Sequence, residues 1–186
     1  MELQSEFDSE YYASIEDYSM VPPAVRCVAP GAGAREIHVS VFPRVADAWV
    51  GAFAAPDPGV KGALTALLGT PSKAGLLVVE RGTGFYGQVG DPQSFGVLPL
   101  GRPFIGWRAS PEHEVLALYS PWEVLVLDSH GVRWVSERLS FDGLLVEGID
   151  AESVWGTADP GDFEPTFFRL DLHNGERTEG SFPFSG

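Results

Sequence analysis

Cysteine, basic residues and long apolar runs are all scarce in this chain of 186 residues. Its one cysteine, Cys27, allows no intrachain disulfide and is expected to be a small buried hydrophobic residue between apolar neighbours. No apolar run approaches the roughly 20 residues that a membrane-spanning helix needs. Residues 1–20 have neither the basic region nor the apolar stretch of a secretory signal. We therefore expect a cytoplasmic protein.

The shortage of basic residues gives the chain a strongly negative charge. Twelve Lys and Arg stand against 26 Asp and Glu, for a formal net charge of −14. Nucleic acids and anionic membrane surfaces are bound mainly through cationic side chains, so we expect neither as a partner. Two interpretations of the charge remain open: it keeps the protein in solution, or it complements a basic protein partner.

Glycine and proline are abundant, with 22 and 15 residues spread along the chain. Between them lie short segments with a period of two, such as 37–42, where Ile37, Val39 and Val41 alternate with their neighbours. Strands are predicted at 37–42, 49–53, 76–81, 85–89, 95–100, 115–119, 123–128, 132–138, 144–149, 153–158 and 166–172. The predicted fold is mainly β, with repeated antiparallel hairpins in a twisted open sheet, a sandwich, or an incomplete propeller or barrel.

One short helix is predicted near residues 60–68, in the run VKGALTALLG. Four apolar residues fall on one helical face there: Ala63, Leu64, Leu67 and Leu68. Gly69 and Pro71 supply a stop signal.

Two parts of the chain are expected, an acidic aromatic N-terminal arm over 1–24 and a single β domain over 25–186. The first 20 residues hold six carboxylates interleaved with aromatic residues, and no Lys or Arg. The arm either packs its aromatic side chains on the domain or becomes ordered on a partner; both interpretations remain open.

Two internal repeats occur. The tetrapeptide GLLV at 75–78 returns 68 residues later at 143–146, and a one-residue slip within this repeat predicts a bulge or a change of loop. The run LVLDSHG at 125–131 resembles FRLDLHNG at 168–175, which places two of the four histidines in equivalent turns.

The run VLVLDSHGVRW resembles the blade signature of quinoprotein-type and WD-type β-propellers, in which a Leu-Asp strand turns at a glycine and a tryptophan follows. The runs LLGTPSKAGLLVVERGTGFYGQVGDP and RWVSERLSFDGLLVEGI are similar to an uncharacterised group of bacterial proteins. The resemblance covers about residues 65–180 and implies blade-like hairpins without an established activity. Propellers need about four or more four-stranded blades, and the sequence shows at most about three, so no closed propeller is expected. An open edge would be covered by the arm or by a second copy of the chain, which predicts a homo-oligomer in the latter case.

Motifs for chemistry are missing from the sequence. The histidines lack a second ligand at metal-binding spacing, and the acidic run at 159–164 lacks the residue order of a calcium loop. The run GTGFYG at 82–87 has the spacing of a dinucleotide-binding fragment, yet it is predicted to join two strands in a hairpin. No catalytic residue, metal site or cofactor is predicted.

Aromatic residues beside acidic ones make the candidate binding surface, because aromatic side chains are enriched where proteins bind each other. The candidate partner-binding residues are Tyr11, Tyr12, Asp17, Trp122, Phe141, Asp159, Asp162, Phe163 and Glu164. We hypothesise a non-enzymatic, acidic protein-interaction domain, in its more specific form an immunity-type inhibitor of a basic partner protein. The alternative is an enzyme or small-ligand binder with a site formed from loops at one end of the sheet.

Overall fold

The computed structural model describes residues 1–16, 20–99, 101–141, 143–159, 161 and 164–180. The chain divides into two compact units, Met1–Pro99 and Leu100–Gly186. The structure thus differs from the expected arm and single β domain. The reason is that residues 1–16 are themselves part of the β structure of the first unit.

The described residues contain sixteen strands in four sheets of four strands each. The strands are β1 (Tyr11–Glu16), β2 (Val25–Val28), β3 (Ile37–Pro43), β4 (Trp49–Ala54), β5 (Ala66–Gly69), β6 (Gly75–Glu80), β7 (Thr83–Gln88), β8 (Asp91–Val97), β9 (Gly106–Ser110), β10 (Val115–Tyr119), β11 (Val124–Asp128), β12 (Gly131–Val135), β13 (Gly143–Ile149), β14 (Ser153–Asp159), β15 (Thr166–Asp171) and β16 (Arg177–Glu179). The mainly β prediction is confirmed, and none of these sheets closes into a barrel. The expected limit of about three four-stranded units is wrong, because β1, β2, β5, β9 and β16 were not predicted from the sequence.

In the first unit the strand orders are β1-β3-β4-β2 and β5-β6-β7-β8. The second of these sheets is an antiparallel meander, whereas the first contains one parallel pair, β2 with β4. Apolar side chains from both sheets form one core, in which the rings of Phe53 and Phe85 lie 5.4 Å apart. Burial of these rings supplies much of the apolar area that stabilises the unit.

The predicted helix near 60–68 is wrong: Ala66–Gly69 is strand β5, antiparallel to β6. All four of its residues are buried. A short, continuously apolar run fits a doubly buried strand as well as a helix, and pairing with β6 decides between them. The one helical element of the described residues is a 3-10 turn at Pro111–His113. No helix in this part of the chain has the length and apolarity needed to cross a membrane.

The first residues of the chain connect the two sheets of the first unit. The Leu3 N–H donates to the Ala13 carbonyl at 3.0 Å, and the Gln4 N–H donates to the Leu67 carbonyl at 2.9 Å. The Gly69 N–H in turn donates to the Gln4 carbonyl at 2.9 Å. The segment therefore pairs with β1 and β5, the edge strands of their sheets, and satisfies backbone groups that an open edge would expose. Residues 1–16 of the arm thus pack on both sheets of the first unit.

The second unit consists of two antiparallel meanders, β9 to β12 and β13 to β16. Their buried side chains form one core. The ladder between β13 and β14 shifts register between Val146 and Gly148, which confirms the bulge predicted from the one-residue slip.

The two sequence repeats have different structural meanings. The turns at Asp128 and Asp171 are equivalent, because each follows the third strand of a meander and each aspartate accepts the N–H of the histidine two residues later at 2.7 Å. The two copies of GLLV lie in strands that are not equivalent, since β6 is the second strand of its sheet and β13 is an edge strand.

The Gly-rich run at 82–87 begins at a hairpin turn, as predicted. Glu80 pairs with Thr83 across two residues with positive φ, Arg81 at 50° and Gly82 at 78°. This backbone matches the twist of the flanking strands and is the preferred two-residue hairpin. The run continues into β7, so its glycines lie in a strand instead of at a helix N-terminus.

Candidate functional site

The outward face of β1 and β3 carries an exposed aromatic pair. Tyr12 and Phe42 are opposite each other in the antiparallel ladder, and their ring centroids lie 6.2 Å apart. Their side chains are 45% and 48% exposed. The neighbours Tyr11 and Ala13 are buried, because successive side chains of a strand point to opposite faces.

Two carboxylates flank this pair. The backbone of Glu2 forms an isolated antiparallel β-bridge with Ser14, which lies two positions after Tyr12 on the same face of β1. The Ser14 hydroxyl donates a hydrogen bond to Glu16 Oε1 at 2.8 Å. The pKa of Tyr12 is raised by desolvation, and then by the negative charge of Glu2, a hydrogen bond with Glu2, and the negative charge of Glu16. We call Glu2, Tyr12, Glu16 and Phe42 the acidic aromatic face.

Tyr11, which the sequence also predicts as a partner-binding residue, does not belong to this face. Its side chain is 6% exposed and its hydroxyl donates to the Gly75 carbonyl at 2.6 Å. Burial raises the pKa of Tyr11 far above the ordinary range of tyrosine. The physical reason is the pleat of β1, which directs Tyr11 into the core and Tyr12 to the surface.

Three other candidate residues converge in the second unit. The indole N–H of Trp122 donates to the Phe141 carbonyl at 3.0 Å, and the Phe141 N–H donates to the Asp159 carbonyl at 3.1 Å. The Asp159 side chain is used locally, where its Oδ1 accepts the Gly161 N–H at 2.8 Å. Glu164 is exposed. The remaining candidates, Asp17, Asp162 and Phe163, lie outside the described residues.

The side chains stacked on Trp122 and Phe141 are cationic, where the sequence predicts acidic surroundings. The guanidinium carbons of Arg102 and Arg138 lie 3.8 and 3.9 Å from the centroid of the Trp122 ring. Arg138 also lies over the Phe141 ring, at 4.1 Å. We call these four residues the guanidinium–aromatic stack. Sequence reasoning missed both arginines, because Arg102 precedes β9 and Arg138 follows β12, and only the meander brings them to the loop before β11.

A cavity of about 370 Å³ lies elsewhere in the second unit. Its lining residues are Val135, Glu137, Asn174, Gly175, Glu176 and Arg177. Arg177 Nη2 and Glu137 Oε1 lie 3.0 Å apart, so this pair is already neutralised within the wall. The side chains of Ser110 and His113 also touch, with 2.8 Å between Oγ and Nδ1, but they belong to one local turn and do not line this cavity.

The carboxyl groups whose pKa is clearly lowered accept backbone hydrogen bonds within turns. Desolvation opposes the shift at Asp128, but the His130 N–H and the guanidinium of Arg133 outweigh it and lower the pKa. At Asp150 the backbone N–H of Glu152 is the largest cause of the lowered pKa. Neither aspartate lines the cavity described above.

No group of three or more His, Cys, Asp or Glu side chains in the described part of the chain is arranged to hold a metal ion. Comparison with known proteins found no matching family model and no matching curated protein. The acidic aromatic face and the guanidinium–aromatic stack are the two candidate binding sites of the described residues.

Proposed function

We propose that this chain is a non-enzymatic protein-interaction protein that binds a basic partner through its acidic aromatic face. The observation that carries the proposal is the exposed pair of Tyr12 and Phe42, which lies beside the carboxylates of Glu2 and Glu16. Aromatic faces attract cations, and carboxylates form charge-assisted hydrogen bonds with Lys and Arg. A basic side chain of the partner would pack on the rings and direct its charge to a carboxylate.

The charge of the whole chain supports the same partner class. A net charge of −14 attracts a basic protein over distances of about a Debye length and speeds its association. The short-range contacts on the face would then select the correct orientation. Binding of this kind weakens as the salt concentration rises, because the exposed charges are screened.

The more specific form of the proposal is an immunity-type inhibitor that acts in the cytoplasm. A nuclease-like toxin must present cationic side chains to the phosphate backbone of its substrate. An acidic protein that covers those side chains competes with the nucleic acid for them. The electrostatic complementarity required for this competition is the feature that the chain offers.

The proposal is tested by capturing partners at low ionic strength, purifying the basic protein recovered, and measuring its affinity directly. Two double variants address the face: E2Q/E16Q removes the two charges, and Y12S/F42S removes the rings at unchanged charge. Each is expected to weaken binding about tenfold or more, as for residues at the centre of an interface.

Matched controls separate this face from diffuse attraction. E112Q/E152Q removes the same charge at exposed positions of the second unit, and F167S removes an aromatic side chain that is 41% exposed. Both controls should retain affinity within about twofold. Equal losses in the face variants and the controls would show that the face is not the binding site. If no basic protein is recovered at low salt, the proposed function is refuted.

A further inference from the structure

We propose that the guanidinium–aromatic stack of Arg102, Trp122, Arg138 and Phe141 is a second binding site, specific for carboxylate groups presented by an acidic peptide segment. This site lies in the second unit, whereas the acidic aromatic face lies in the first. Its charge is opposite to that of the chain as a whole.

The stack is held by hydrogen bonds between two loops. The indole N–H of Trp122 donates to the Phe141 carbonyl at 3.0 Å, and the Leu139 N–H donates to the Trp122 carbonyl at 2.7 Å. Arg138 Nε donates to the Ser140 carbonyl at 2.8 Å. The indole and one guanidinium are therefore positioned before any ligand arrives, which lowers the entropic cost of binding.

Most basic side chains of this chain form ion pairs, whereas the two arginines of the stack lie over an aromatic ring. With 26 carboxylates present, seven of the other ten Lys and Arg form ion pairs within the described residues. Arg102 and Arg138 form none there and are instead placed over the same indole ring. The two like charges share one ring and repel each other, and an anion bound beside them relieves the repulsion.

The donors left on these guanidinium groups define the ligand chemistry. Among the described residues Arg102 makes no hydrogen bond, and Arg138 uses only its Nε. A guanidinium that stacks on an aromatic face keeps its edge N–H groups for a planar oxyanion, which it binds through two parallel hydrogen bonds. Two such groups suit two carboxylates, as in a pair of acidic side chains on a peptide.

Carboxylates are favoured over phosphates by the surroundings. An acidic peptide carries its two charges on separate side chains, one for each guanidinium, whereas a phosphate dianion carries both charges on one group. Phe141 is 37% exposed and adds apolar area that the methylene groups of a glutamate side chain would cover. The predicted ligand is thus a peptide with adjacent acidic residues.

The probe for this site is N-acetyl-Glu-Glu-amide, titrated into the full chain while the indole N–H resonance of Trp122, assigned with W122F, is followed by NMR. A saturable shift is expected, with a dissociation constant on the order of 1 mM. R102Q/R138Q should weaken binding about tenfold or more, and R102Q alone should weaken it by a smaller factor. Unchanged thermal unfolding of R102Q confirms that the lost affinity is not lost folding.

R108Q is the matched control for R102Q, since Arg108 is exposed in the same unit and each of the two variants removes one positive charge. It should bind the peptide as the unchanged chain does. An equal loss in R108Q, or no saturable shift in the unchanged chain, would overturn the proposal. Inorganic phosphate is titrated in a parallel arm, and tighter binding of phosphate than of the peptide would overturn the carboxylate assignment.

Discussion

The hydroxyl of Tyr11 donates a hydrogen bond to the main-chain carbonyl of Gly75 at 2.6 Å, across a sequence separation of 64 residues. The bond joins β1 to β6, which belong to different sheets of the first unit. The Thr70 hydroxyl donates to the same carbonyl at 3.1 Å. One buried carbonyl thus connects the N-terminal segment, the β5–β6 hairpin and the shared core.

Tyr11→Phe is expected to lower the free energy of unfolding by about 1–2 kcal/mol. The loss stays moderate because the Gly75 carbonyl keeps its bond from Thr70. Urea denaturation measures the change, and Tyr12→Phe is the control, with an effect below about 0.5 kcal/mol expected because its ring and its hydrogen bond with Glu2 lie at the surface. A Tyr11→Phe variant as stable as the unchanged chain would show that this bond contributes nothing.

Alkaline pH is expected to destabilise the first unit through the same residue. Burial raises the pKa of folded Tyr11 above its ordinary value of 10.0, so the unfolded chain loses this proton first. The stability from this linkage is fully present below about pH 10 and is lost as the pH rises toward the folded pKa. Unfolding free energies between about pH 9 and 11 should fall less steeply for Tyr11→Phe than for the unchanged chain. Identical slopes would contradict the prediction.

Asp128→Asn is expected to destabilise the second unit by about 1 kcal/mol at neutral pH, because the carboxylate accepts from the His130 N–H and from Arg133 Nε. The folded pKa of Asp128 is lowered, so its contribution is present above the ordinary value of 3.8 and is lost as the pH falls through the folded pKa. In the acid range, the unfolding free energy of the variant should therefore change less with pH than that of the unchanged chain. Asp47→Asn, at an exposed position, is the control, and a matching flattening there would refute the assignment.

Gly156→Ala is expected to disrupt the ladder between β13 and β14. A Cβ at this position would overlap the carbonyl oxygen of Leu145, which is backbone and cannot move aside without breaking the ladder. We expect a loss of about 3 kcal/mol or more, at the upper end of overpacking costs. Gly143→Ala is the matched control in the same strand pair, because its Cβ would meet only the Asp159 Cβ at 3.7 Å. Thermal unfolding of both variants checks the difference.

Strands of six or seven residues such as β3 and β4 were readable from the sequence, whereas the four-residue, fully buried β5 was not. The predicted segments 37–42 and 49–53 match β3 and β4 to within one residue at each end. In β5 every residue is buried, so no polar position marks a period of two, and the run fits a helix equally well. Its identity depends on pairing with β6, which no local pattern contains.

The candidate site was predictable in part. Sequence reasoning named both Tyr11 and Tyr12, but only the packing of β1 decided which of them reaches the surface. It named Trp122 and Phe141 as well, yet it placed acidic groups around them, where the fold places Arg102 and Arg138. Residue type indicates that an aromatic side chain is suited to binding, whereas its neighbours depend on strand order.

The sequence by itself determined the β class, the hairpin turns and the net charge, because these depend on residues adjacent in the chain or on composition alone. Tertiary structure decided which charges stand beside which rings. Glu2 reaches Tyr12 through pairing of the first residues with β1, and Arg102 reaches Trp122 through the meander of β9 to β12. Such contacts depend on the pairing of separate segments, and that pairing is selected by burial of the whole core.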